Sequence, residues 1–258
     1  MVMGLPEIRS FLGGQQQLET KPSSVLHYYF DPLCGWCYAA APLIHAAAHM
    51  PEINLQLHAG GMMSGENRKS VTPALRHYVM PHDQRIEKVT GQPFGEAYFE
   101  GLLRDENAVF DSTPPTLAIL AAAALGCDEG VGRSGLAMLA RIQHAHFAQG
   151  QRIADGTVLL SLAAELGFES AEFAAAMAEQ AAKVDAHFAA TRRAMGEQWL
   201  RGFPSLVLEQ AGQLTTIDIS PFLGQPTQFV AALHELIQEG KQHHSTLEMP
   251  FCTPSTCA

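Results

Sequence analysis

The chain has 258 residues, 47% of them apolar, and a formal net charge of −10. That length suits one large domain or a domain carrying an insertion, and the apolar share can build a core without disulfide staples. The acidic balance, with no lysine or arginine stripe, argues against a nucleic-acid partner, and no run approaches the roughly 18 apolar residues of a membrane span.

Residues 1–24 are polar and rich in Gly and Gln, and read as a loose leader. They show no basic stretch followed by an apolar one, so no secretory signal is expected and the cytoplasm is the expected compartment. "SVLHYYF", from Ser24 to Phe30, is β-branched and aromatic and predicts a buried strand, broken by Asp31 and Pro32. A helical pattern follows from Gly35 to about Met50, with Pro42 inside it as a source of a kink. "INLQLHAGG", from Ile53 to Gly61, alternates as a second strand does. Strand, helix, strand makes a βαβ unit with two parallel strands.

Residues 66–196 differ. Alanine is unusually common from Thr116 to Ala194, four segments from Thr113 onward have helical spacing, and the block shows no strand pattern. Start and stop signals recur, with Asp155 before one helix, Gly167 after it, and Ser170 before the next. This block predicts an all-α insertion. The strand pattern returns in "FPSLVLEQ" and "QLTTIDI", joined at Ala211-Gly212 as a hairpin. A last helix is expected from Pro226 to Gly240, then a flexible tail over 241–258. The expected organisation is an α/β domain over 25–65 and 197–240, interrupted by the helical block.

The chemistry concentrates in "FDPLCGWC". Cys34 and Cys37 are a Cys-x-x-Cys pair at a strand-to-helix turn. Unpaired N–H groups and the positive end of the helix dipole favour a thiolate at Cys34. Cys37, one turn further in, is shielded and close enough to form a disulfide with it. In the redox reading Cys34 exchanges with a partner sulfur and Cys37 resolves the mixed disulfide. Two other readings stand beside it. One is half of a tetrahedral zinc site, for which Cys252, Cys257, His243 and His244 would have to supply ligands in no recognised zinc pattern. The other is a pair of inert core thiols. No metal is expected.

Asp31, three residues before Cys34, either tunes the thiolate, accepts a proton, or shapes the strand end. Trp36 is expected to face solvent. Met62 and Met63 either line a substrate groove beside Trp36 and the cysteines or join the core. Pro204 opens a strand about 170 residues after Cys34 and is a candidate cis-proline, which would turn the Phe203 backbone toward the cysteines. Cys252 and Cys257 form a second close pair, either a shuttle disulfide or two idle thiols.

"FDPLCGWC" after a strand, a helical insertion, then "GFPSLVL", a hairpin and a closing helix resembles the thioredoxin superfamily. More narrowly it resembles the DsbA-like branch, and within it the cytoplasmic FrnE-type proteins described as protein-disulfide isomerases. The likeness runs from about Val25 to Gly240. It implies a thioredoxin-like fold with an inserted all-α domain and disulfide exchange with protein thiols. Cys34 would be the nucleophile and Cys37 the resolving thiol. Gly35 and Trp36 would tune the redox poise, and Pro204 with Phe203 would flank the site. No bound cofactor is implied, with glutathione or a thioredoxin-type system as electron partner. Periplasmic DsbA enzymes usually carry Pro-His between the cysteines, and Gly-Trp here departs from that oxidising type. A related branch of glutathione-dependent transferases and isomerases has serine in place of Cys34. The alternatives kept open are a glutathione-dependent small-molecule enzyme, which would not need Cys37, and a non-catalytic holdase-like module, which would need neither cysteine.

Overall fold

The structure is a computed structural model and describes residues 24–126 and 133–247. The strand β1 (Ser24–Phe30) leads through a turn into α1 (Gly35–Ala48) and then β2 (Ile53–Ala59), which pairs parallel to β1. Much later come β5 (Ser205–Gln210) and β6 (Gln213–Ile217), both antiparallel, completing a sheet of order β2-β1-β5-β6. The hairpin turn is built at Ala211 and Gly212, both with positive φ.

The alternation of β1 sorts the two sheet faces. Leu26, Tyr28 and Phe30 enter the main core with α1 and with Phe229, Leu233 and Ile237 of α8 (Pro226–Leu247). Tyr29 points the other way and packs with Val207 and with Met195 of α7 (Val184–Glu197). Helix α1 runs through Pro42 without a break. Proline lacks the N–H that would bond the carbonyl four residues back. That carbonyl, on Tyr38, accepts instead from Gln92 Nε2 at 3.0 Å.

Between β2 and β5 lie α2 (Pro73–Thr90), α3 (Thr113–Leu125), α4 (Arg133–Phe147), α5 (Gly156–Glu165), α6 (Ser170–Ala181) and α7. Thr72 caps α2 by accepting from the Leu75 N–H. Three details depart from the expectation. The block also holds a two-stranded ribbon, β3 (Lys69–Ser70) with β4 (Val109–Phe110), too short to leave an alternating pattern. The cap of α6 is Glu169, whose carboxylate accepts from the Glu172 N–H, and Ser170 is already helical. Helix α8 does not stop at Gly240 but continues to Leu247. Gly240 answers to packing: a Cβ there would lie 2.6 Å from Gln210 Oε1, and Gln210 bonds the Ile237 carbonyl.

Candidate active site

Cys34 is the N-cap of α1, in extended backbone conformation, with its carbonyl accepting from the Cys37 and Tyr38 N–H groups. Cys34 retains 9% exposure, while Cys37 is fully buried behind it. Neither is in a disulfide. Burial pushes the Cys37 thiol well above its ordinary range, and its hydrogen bond to Cys34 and the nearby Cys34 charge push the same way. The inner thiol therefore holds its proton. The Phe203–Pro204 peptide is cis, and Phe203 O lies 3.5 Å from Cys34 Sγ. The turn after β1 thus brings Cys34, Cys37, Phe203 and Pro204 together.

Phe203 is set in place by a glycine. Its ring lies so close over Gly60 that a Cβ there would come within 1.9 Å of Phe203 Cζ. Gly61 follows with φ +62°, and Met62 beyond it is 37% exposed. Met63 is partly buried against the core. Trp36 is also half-buried and packed on the main core, against the expectation that it faces solvent.

Asp31 is fully buried. One carboxylate oxygen accepts from the Leu33 N–H at 3.0 Å and from the Ser112 hydroxyl at 2.9 Å; the other accepts from the Met62 N–H at 2.6 Å. It ties the cysteine turn, the loop after β2 and the start of α3 into one knot. Burial pushes its pKa up to about 6 despite those three donors. Tyr28, buried beneath, donates to the Cys37 carbonyl.

Sequence reasoning missed Asp83. It sits on α2, 6% exposed, and accepts from the Tyr98 hydroxyl at 2.8 Å. Burial raises its pKa to about 7. Its other oxygen reaches the cysteine turn: a Cβ on Gly35 would meet Asp83 Oδ1 at 2.8 Å and Ile86 Cδ1 at 3.0 Å. Any side chain at 35, the proline of a Pro-His dipeptide included, would collide with α2. The only local mark is that Asp83 and Ile86 stand three apart on one helix face. Cys252 and Cys257 lie outside the described residues.

No curated protein matches the chain. Among solved structures, it is similar to the cytosolic disulfide reductase DsbM from Pseudomonas aeruginosa, at 50% identity over 83% of this chain and 98% of that one, TM-score 0.76. A structure of the same reductase with GSH matches at 48% identity over 83% and 99%, TM-score 0.73. A protein from Nitrosomonas europaea, 24% identical over 86% and 99%, TM-score 0.67, shares the fold. The model of the DSBA-like thioredoxin domain matches residues 25–222, and the chain belongs to that DsbA-like family.

Proposed function

We propose that the chain reduces protein disulfides by thiol–disulfide exchange, with Cys34 attacking and Cys37 resolving. The Cys34 thiolate attacks one sulfur of a substrate disulfide, forming a mixed disulfide and releasing the other sulfur as a thiolate. Cys37 then loses its proton and attacks Cys34 Sγ, which frees the second substrate thiol and leaves a Cys34–Cys37 disulfide. Two glutathione thiols return that disulfide to the dithiol and leave as glutathione disulfide. We assign uptake of the Cys37 proton to Asp31, a buried carboxyl raised to about 6 whose charge is felt at the Cys37 thiol.

The observation that carries this reading is the asymmetry of the pair. Cys34 caps a helix and meets the Phe203 carbonyl, while Cys37 is buried and held protonated behind it. The likeness to a cytosolic disulfide reductase, one structure of which holds GSH, supports reduction, glutathione and a cytoplasmic setting. No helix among the described residues is long and apolar enough to cross a membrane. The expected outcome of Cys37→Ser is a stable mixed disulfide between Cys34 and substrate or glutathione, recovered by acid quench and mass spectrometry. Cys34→Ser should trap nothing and turn over nothing. Full turnover by Cys37→Ser would instead favour the glutathione-dependent small-molecule enzyme.

A further inference from the structure

Trp199 stands in a strained position without burying itself. It lies just past α7, where the Leu200 N–H closes back on the Met195 carbonyl at 2.9 Å. That closure puts Trp199 in the left-handed region, φ +57°. The position favours glycine, because the Cβ of an L-residue is crowded there. Trp199 is 88% exposed, so packing offsets none of that cost. Strained backbone positions cluster at active sites and ligand clamps.

The surroundings say what kind of ligand. Trp199 is four residues from Phe203, a span of at most about 14 Å, and the Phe203 carbonyl meets Cys34. Phe203 covers Gly60, and Gly61 packs against Phe188. The Arg192 guanidinium lies 5.9 Å from the Phe188 ring centroid. Arg192, Arg193 and Arg201 are exposed, and none forms an ion pair among the described residues. Only Glu197 opposes them in that run. In a chain of net charge −10 this is a local positive edge on the segment that runs into Phe203.

We propose that Arg192, Trp199 and Arg201 form a lip that holds an acidic polypeptide segment flanking the disulfide to be reduced. The indole supplies a broad apolar contact and the guanidiniums supply attraction and orientation. The lip makes the site select protein disulfides over small ones. It takes its purpose from the proposed exchange at Cys34, but its binding step needs no thiol.

Two measurements test it. Trp199→Gly should keep or raise thermal stability, lower kcat/KM on an acidic protein disulfide about tenfold through KM, and leave hydroxyethyl disulfide turnover unchanged. Equal loss on both substrates, or none on either, overturns the lip. Separately, Cys34→Ser/Cys37→Ser protein should bind a cysteine-free acidic peptide, with salt weakening the complex. Adding Trp199→Gly, or Arg192→Ala with Arg201→Ala, should abolish that binding. Peptide binding that ignores these substitutions overturns the lip even where disulfide turnover stands. Intact peptide binding by a wild-type chain that reduces no disulfide overturns the redox reading alone.

Discussion

Gly35 is where the cysteine turn and the helical block touch, and its missing side chain is what lets them touch. Gly35→Ala places a methyl group 2.8 Å from Asp83 Oδ1 and 3.0 Å from Ile86 Cδ1. Such overpacking costs about 1–3 kcal/mol, so a lower urea midpoint is expected, together with slower exchange at Cys34. A midpoint equal to wild type would mean α2 yields easily. Asp83 itself should give the fold a pH dependence. Its pKa is about 7 when folded against an ordinary 3.8. A raised carboxyl stabilises the fold fully below the ordinary value, and that contribution is lost as pH rises through the folded one. Asp83→Asn keeps the neutral form at every pH. Moving from about pH 4.5 to about pH 8, the variant should gain on wild type by on the order of a few kcal/mol. Parallel denaturation curves at the two pH values would contradict this. Asp31 is common to both chains and cancels.

Two elements meet at the sulfur of Cys34, and each depends on a partner distant in sequence. The loop before β5 is held by Phe203 lying on Gly60. Gly60→Ala must displace that ring and with it the carbonyl beside Cys34. The expected result is a fall in turnover larger than the fall in stability, the latter about 1–3 kcal/mol, measured by kinetics and urea titration on the same sample. Helix α1 survives Pro42 because Gln92 bonds the Tyr38 carbonyl. Gln92→Ala leaves that carbonyl without its partner at a cost of about 1 kcal/mol, read from the same titration. The elements themselves were legible, since β1, α1, β2, the hairpin and most helices follow from period and punctuation. What was not legible shares one cause. Gly240 resembles a stop signal but is small for the sake of Gln210, and Asp83 resembles a solvated helix residue but is buried by α2 lying over Gly35. Each is decided by a contact across the fold, which local pattern does not carry. The ribbon of β3 and β4, two residues a side, is too short to show alternation at all.

At the scale of the molecule, the helical block is more than a lid over a thioredoxin-like sheet. Through Ser112 it bonds the buried Asp31, through Gln92 it completes α1, and through Asp83 it sets the space at Gly35. The pair of cysteines was readable from "FDPLCGWC" because a helix N-terminus after a strand is a local arrangement. The acid knot around them was readable only in part, through Asp31, because Ser112 and Met62 reach it from 81 and 31 residues away. The account rests on Cys34 and Cys37 working as one redox couple. Equilibrating the full chain across a series of glutathione ratios, trapping thiols by alkylation and mapping the peptides tests that most directly. The expected result is a single two-electron transition between dithiol and a Cys34–Cys37 disulfide, toward the thioredoxin value of about −270 mV. No Cys34–Cys37 disulfide at any ratio would contradict the account.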